Sequence, residues 1–418
     1  MYRDRFFGKW WVLLGSATGI AFGSAVLFSA GFPQLSHAWA RDFGWSQTQM
    51  AQAGTVFLLS ITAGYPLAGY LVHRWGSRAV ASASIAAFAV SLVLLSQFGD
   101  TLPRLYLACG FMGLVAAGTN VVGYAQALSQ WFHRRLGLAM GVAASAQSIG
   151  AVSFPVVIAH LAGSSGWSSG LMCLAAFQLL FCLPVVALLV RNGPAPIGLQ
   201  SDGAEARTAS AAGQHIVHEG GLSKTINYWK LTVAFAVLGA ISFAVIFNLV
   251  FILTDTAKMS AIDVAQVQAA AGVGAFAGRI GFGHLLDKIG AAFTATAVIV
   301  LLALCCWLLA TGWSTTSALL GGFLAGAAAG GESDLMPYLA SRYFGVQNTS
   351  KVFGLLLAAF SIGGAMGVTA FAAVAAWQGS SATALYLFMA TLLVPLSIFV
   401  SLIPHERMQR RLVLGQAA

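Results

Sequence analysis

Gly69-Tyr-Leu-Val-His73-Arg74-Trp-Gly76 returns as Gly283-His-Leu-Leu-Asp287-Lys288-Ile-Gly290, an offset of 214 residues in a chain of 418. Each copy closes a long apolar run, and glycines at both ends of a polar or charged pair read as a sharp turn between hydrophobic helices. An offset near half the chain marks an internal duplication. Working outward from the two copies, runs long enough to cross about 30 Å of hydrocarbon at about 1.5 Å per residue fall near 10–36, 46–72, 79–98, 104–130, 137–163 and 167–190. A second set follows near 229–253, 263–286, 291–313, 316–341, 351–377 and 380–403. Six helices separate the two copies, so both keep the same membrane orientation, a parallel repeat with a central cavity expected between the halves.

The composition agrees. Hydrophobic residues make up 58% of the chain and charged residues 8%, whereas a soluble domain carries about 25% charged residues. The expected fold is an all-α membrane protein with twelve transmembrane helices in two pseudo-symmetric six-helix bundles. Their bounds are residues 1–191 and 228–418, joined by a cytoplasmic linker over 192–227. The stretch from Asn192 to Asn227 collects Pro, Gly, Ser, Ala, Asp and Glu, which suits a flexible connector.

The first span is too long for a removable signal peptide and lacks a small-residue cleavage site, so the N-terminus is expected to stay cytoplasmic. With both termini inside, 17 Lys and Arg face the cytoplasm, and Arg41, Arg104 and Lys258 are the three outside. That positive-inside bias accounts for the net charge of +9 without a nucleic-acid partner. Cys109, Cys173, Cys182, Cys305 and Cys306 all fall within spans and read as small core hydrophobes rather than metal ligands or disulfides. The chain carries no nucleophile elbow and no phosphate-binding glycine loop. An enzyme is not expected, nor a cofactor.

Three charges break the pattern. Arg279 lies in the apolar stretch Val264 to Phe282, and Glu332 and Asp334 lie inside the tenth span. A charge at bilayer depth costs about 2.5–3.5 kcal/mol on insertion scales, so it faces a cavity or a partner and marks function. A guanidinium donates two parallel hydrogen bonds to a carboxylate and keeps its proton in a dry site. Glu332 and Asp334 are about 200° apart around a helix, so they point to different sides. Glu332 is expected to face the cavity near Arg279 and exchange a proton, with Asp334 as a packing or gate acid. A purely structural pairing of either acid with Arg279 stays open.

The repeat is also where the chain resembles a known family. Gly-x-Leu-x-Asp-Arg/Lys-x-Gly in the loops after helices 2 and 8 is the signature of the major facilitator superfamily, and here His73 replaces the usual acid of the first copy. The resemblance implies a cytoplasmic gating role for Arg74, Arg78, Asp287 and Lys288. Within the superfamily the chain is similar to bacterial carriers of the monocarboxylate and oxalate:formate exchanger type. The strings that carry this are Ser129-Gln-Trp-Phe-His-Arg-Arg-Leu-Gly-Leu-Ala-Met-Gly141, Asn248-Leu-Val-Phe-Ile-Leu-Thr-Asp255, Gly278-Arg279-Ile-Gly-Phe-Gly-His-Leu-Leu-Asp287-Lys288 and Gly331-Glu332-Ser-Asp334-Leu-Met-Pro337. The helix 8 arginine of such carriers binds the substrate carboxylate, and Arg279 stands in that place.

The second membrane cation of the oxalate exchanger, on helix 11, has no counterpart in Leu357-Ala-Ala-Phe360-Ser-Ile-Gly-Gly, which favours a monoanion over a dianion. Tyr124, Asn248, Asn120 and Phe360 are the remaining candidate substrate contacts. Each can equally serve interhelical packing or hydrogen bonding. The expected activity is proton-coupled symport of a small organic monocarboxylate by alternating access, by a monomer in the lipid bilayer of a bacterial inner membrane. Exchange or efflux without proton coupling, and a non-transporting sensor, are the alternatives.

Overall fold

The structure is a computed structural model that describes residues 8–24, 26–28, 32, 35, 39, 42–194, 225–256, 258–259, 261–311 and 314–401. Most of the linker over 192–227, and the tail from His405, lie outside the described residues. The helices are α1 (Lys9–Ala21), α2 (Gln47–Trp75), α3 (Ser77–Phe98), α4 (Leu102–Ala116), α5 (Val121–Trp131), α6 (Leu136–Ser145), α7 (Gln147–Phe177) and α8 (Leu183–Leu189). The second half comprises α9 (Ile226–Phe247), α10 (Leu249–Thr256), α11 (Ala261–Ile289), α12 (Ala291–Thr311), α13 (Thr315–Phe344), α14 (Thr349–Gln378) and α15 (Ser381–Thr391). Nine helical stretches among the described residues are long and apolar enough to cross a membrane. Spans 5, 8 and 10 fall outside these nine: span 5 is represented by the shorter apolar stretch Leu136–Ala151, and α11 and α13, though 29 and 30 residues long, hold the intramembrane charges and many small residues.

The chain forms two compact units. Unit 1 comprises Met1–His133, Val142–Asp202 and Gly345–Leu355, and unit 2 comprises Arg134–Gly141, Gly203–Phe344 and Leu356–Ala418. Each unit therefore includes one short segment from the other half of the sequence. The two copies of the repeat end alike, with Gly76 and Gly290 at φ of 84° and 96°, a conformation that a side chain would oppose.

In unit 1, α2 begins with a capping box in which Ser46 and Gln49 satisfy each other's backbone N–H. The fourth span is not one helix. A 3₁₀ turn at Ala117–Thr119 and an extended Asn120 (φ −81°, ψ 174°) separate α4 from α5. The sixth span carries a π-helical turn at Gln178–Cys182, where the Gln178 amide donates to the Phe22 carbonyl at 2.7 Å. Such irregular backbone survives at membrane depth when other groups take up its polar atoms.

In unit 2, α11 and α13 pack through small residues. A Cβ on Gly326 would meet the Ala271 carbonyl and lie 2.9 Å from the Ala275 nitrogen, and one on Gly278 would lie 2.7 Å from the Ala327 Cα. Contact between backbones is how helices associate where lipid removes the hydrophobic drive. All five cysteines are free, and Cys109, Cys182, Cys305 and Cys306 are buried as expected. Cys173 departs from the expectation: it is exposed, on a face of α7 turned away from the core.

Gly326→Val is expected to lower the melting temperature of the purified protein, because overpacking a close crossing costs about 1–3 kcal/mol. Gly272→Ala on the same helix pair, where an added Cβ meets nothing within 4 Å, is expected to leave it unchanged or slightly raised. Differential scanning fluorimetry in detergent separates the two.

Candidate functional site

Unit 2 gathers the three intramembrane charges. Arg279 is half-buried on α11, and Glu332 and Asp334 on α13 are 0% and 1% exposed. The acid in electrostatic contact with Arg279 is Asp334. Its Oδ2 is buried with no hydrogen-bond partner among the described residues. Glu332 turns to α9, where the Ser242 hydroxyl lies 2.7 Å from both carboxylate oxygens. The two acids thus diverge as a helical step of about 100° per residue requires. Their order differs from the sequence expectation, which set Glu332 beside the arginine.

Three features hold this arrangement. Gly330 and Gly278 bring α11 and α13 close enough that a Cβ on Gly330 would lie 2.9 Å from the Arg279 nitrogen. Gly141, at the end of the Arg134–Gly141 segment, covers the same turn: its added Cβ would meet the Arg279 carbonyl and lie 3.1 Å from Asp334 Oδ2. At the C-terminal end of α11, the Asp287 carboxylate accepts the N–H groups of Gly137 and Leu138 at 2.8 and 2.9 Å. These are orphan donors of the first turn of α6, and a carboxylate at a helix N-terminus also meets the favourable end of the helix dipole. Asp287 is further attracted by Arg342 and His284.

In unit 1 the corresponding loop residue, His73, places Nδ1 2.8 Å from the Gln347 carbonyl. Arg74 and Lys288 are exposed, and the Arg78 backbone N–H donates to Asn192 Oδ1 at 3.0 Å.

The other expected contacts fall into separate environments. Asn248 interrupts the seventh span between α9 and α10, and its amide donates back to the Ala244 carbonyl at 2.9 Å. Phe360 meets Phe243 edge to face at 5.3 Å. In unit 1, Tyr124 is fully buried, and its hydroxyl has no hydrogen-bond partner among the described residues. It fills the space beside Gly19, where an added Cβ would lie 2.6 Å from the tyrosine Cζ. Asn120 is half-buried at the break in the fourth span, accepting from Val121 N–H at 2.6 Å and donating to Tyr65 Oη at 3.3 Å. Ser242 and Tyr65 were not singled out from the sequence. Ser242 acts across 90 residues with no local mark, whereas Tyr65 lies at the repeat offset from Arg279 and was findable that way.

Comparison with known proteins gives this architecture its class. A family model described as Major Facilitator Superfamily matches residues 14–368, and the chain belongs to that superfamily. It is similar to the uncharacterized MFS-type transporter YhjX of Escherichia coli (strain K12), 25% identical over 366 residues that cover 85% of each chain. A region of 181 residues is 28% identical to monocarboxylate transporter 2 of Mesocricetus auratus, covering 42% of this chain and 36% of that protein. The chain thus spans well under half the length of the monocarboxylate transporters it matches. Among solved structures, the proton:xylose symporter XylE bound to 6-bromo-6-deoxy-D-glucose superposes with a TM-score of 0.73 at 13% identity over 96% of both chains. The E. coli fucose:proton symporter FucP gives 0.66 at 14% identity over 93% of this chain and 97% of that one. The chain is a multi-pass membrane protein with the twelve-helix fold of the superfamily, a family of transporters rather than enzymes.

Replacing Asp287 with Ala strands the N–H groups of Gly137 and Leu138 and is expected to destabilise the protein by about 0.5–2 kcal/mol, the worth of a helix cap. Asp287→Asn, which keeps an acceptor oxygen, is expected to recover part of the loss. Melting temperatures of the purified variants check both.

Proposed function

We propose that this transporter carries a small organic monocarboxylate by alternating access with one coupled proton, as a monomer in the bacterial cytoplasmic membrane with both termini inside. The observation that supports this most is the Arg279 and Asp334 pair at bilayer depth in unit 2. The region of likeness to monocarboxylate transporter 2 adds weight to the substrate class.

Charge counting gives the mechanism. Empty, the site holds one cation and one anion and is neutral. A carboxylate that binds the guanidinium brings the sum to minus one, and an uncompensated charge in a low-dielectric site is costly. A proton on Asp334 restores neutrality and frees the Arg279 fork for the substrate's two oxygens. Substrate and proton thus favour each other's binding, and by linkage the coupling is reciprocal. On release to the other side, the proton leaves and Asp334 reclaims the arginine.

Glu332, with both oxygens on Ser242, has its own partner and lies outside this exchange. It ties α13 to α9. The assignment of the coupled proton therefore moves from Glu332 to Asp334.

Uptake of labelled carboxylate into proteoliposomes under an imposed pH gradient tests this. Inside-alkaline pH is expected to drive uphill accumulation. Arg279→Lys, which loses the planar fork, should cut kcat/KM at least about 100-fold, roughly 2.7 kcal/mol. Asp334→Asn, which makes the substrate-loaded site neutral without a proton, should abolish gradient-driven accumulation while preserving counterflow between preloaded and external substrate. Glu332→Gln should keep driven accumulation. Wild-type rates in Arg279→Lys refute the carboxylate assignment, driven accumulation in Asp334→Asn refutes the coupling, and its loss in Glu332→Gln returns the proton to Glu332.

A further inference from the structure

Between α3 and α4 the chain turns in three residues, Gly99 to Thr101. On either side of this turn lie stretches long and apolar enough to cross a membrane, Ser77–Phe98 and Leu102–Trp131. A turn this short between two spans stands at headgroup level. A groove of about 270 Å³ opens beside it, wholly within unit 1. Arg104, Leu107, Ala108 and Phe111 line it from α4, and Leu94 and Phe98 from α3. Spacings of three and four keep the α4 residues on one face, so the groove follows that face for about 10 Å from Arg104, seven residues at about 1.5 Å each. Leu94, Phe98, Leu107 and Phe111 are each more than half exposed, which turns the groove away from the packed interior. Ser91, the other polar side chain of the lining, donates its hydroxyl to the Ala87 carbonyl at 2.7 Å. An apolar groove with no unmet polar group suits hydrocarbon.

The end of the groove at the turn carries one charge of each sign. Arg104 Nη1 lies 2.6 Å from Asp100 Oδ1, with the side chains 55% and 61% exposed. An exposed pair of this kind contributes little stability and opens readily. It engages one oxygen and one guanidinium nitrogen, which leaves the rest of the planar fork to donate and the second oxygen to accept. The first turn of α4 has no side-chain cap, so its backbone N–H groups add to the pull of Arg104 on an anion. A headgroup with negative charge alone would gain the arginine and be repelled by Asp100. A phosphate followed by a primary ammonium meets both charges with opposite ones. A quaternary ammonium has no N–H to give the carboxylate.

We propose that this groove is a binding site for a phosphatidylethanolamine lipid, with one acyl chain between α3 and α4, the phosphate on Arg104 and the ammonium on Asp100. Hydrocarbon burial holds the chain, and the paired charges select the headgroup. The inference stands independently of the carboxylate reading of Arg279.

The test titrates the purified full chain in detergent with phosphatidylethanolamine, phosphatidylcholine and phosphatidylglycerol of one acyl composition, and follows bound lipid by native mass spectrometry. One lipid is expected to bind more tightly than the rest, with phosphatidylethanolamine preferred to each of the others by at least about 10-fold, the worth of one hydrogen bond to a charged group. Asp100→Asn, which removes both the ammonium's partner and the repulsion of an anion, should bring phosphatidylethanolamine and phosphatidylglycerol within about twofold of each other. Arg104→Gln should weaken all three lipids by at least about 10-fold, since all carry the phosphate. Ala108→Phe, which fills the groove, should remove the tight site for all three. Asp100 and Arg104 are exposed, so their variants are expected to keep the wild-type melting temperature.

Equal affinity of the wild type for the three lipids, or a preference for phosphatidylethanolamine that survives Asp100→Asn, overturns the inference, because the headgroup is then not read by this pair. Tight binding that persists in Ala108→Phe places the lipid elsewhere and overturns it too. A wild-type dimer that Ala108→Phe dissociates assigns the groove to a second copy of the chain and has the same consequence.

Discussion

A guanidinium at bilayer depth must be neutralised, and the arrangement of unit 2 follows from how that is done. Arg279 sits on a helix of small residues, α11, packed on another, α13, so that the two backbones touch near Gly278 and Gly330. The same closeness that replaces a hydrophobic drive in lipid brings Asp334 into electrostatic reach of the arginine. Larger residues at the glycine positions would separate the pair and leave two isolated charges in a medium that solvates neither. Packing and electrostatics here are one requirement.

That requirement also sorts the two acids. Glu332 and Asp334 are neighbours in sequence but occupy different walls of α13, one toward Ser242 on α9 and the other toward Arg279 on α11. A single serine hydroxyl serves both oxygens of Glu332 at 2.7 Å, which fixes that side chain and anchors the helix that carries Asp334. An acid that already shares the proton of a neighbouring hydroxyl is a poorer candidate for repeated exchange of partners than one with a bare oxygen. Asp334, with one oxygen under Gly141 and no hydrogen bond to it among the described residues, is the more changeable of the two.

How much of this could be read from the chain depended on whether the signal was local. Span positions, the duplication and the anomaly of Arg279 are written in hydropathy and spacing, which act over a few residues or a fixed period. The divergence of Glu332 and Asp334 was also legible, because it needs only the helical period. Which of them meets Arg279 was not, since the rotation of α13 about its own axis is set by glycine contacts that sequence spacing does not report. The same holds for Ser242, one polar residue in an apolar helix, and for Asn120. Its role at the break in the fourth span arises from the 3₁₀ turn at Ala117–Thr119, a stretch of small residues indistinguishable by composition from helix. Tyr124, expected as a ligand contact, is fully buried beside Gly19, a placement set by a glycine in another helix that its own neighbours in sequence do not report.

The duplicated halves have diverged in one direction. At the offset positions, Arg279, Asp287, Glu332 and Asp334 of the second half correspond to Tyr65, His73, Gly118 and Asn120 of the first, so an arginine or a carboxylic acid stands in the second half at each place where the first has an uncharged residue or a histidine. The backbone contacts beneath them are kept, including the crossing glycines Gly141 and Gly354. A carrier with an ion pair in both halves would face two neutralisation problems in each cycle and would have to solve them in step. With charge confined to one half, only one buried ion pair has to be neutralised, and the other half is held together by neutral hydrogen bonds, which can be broken at far lower cost than an ion pair in lipid. Confining charge to one unit is thus a physical route by which a symmetric duplicate keeps its scaffold in both halves and its buried ion pair in one.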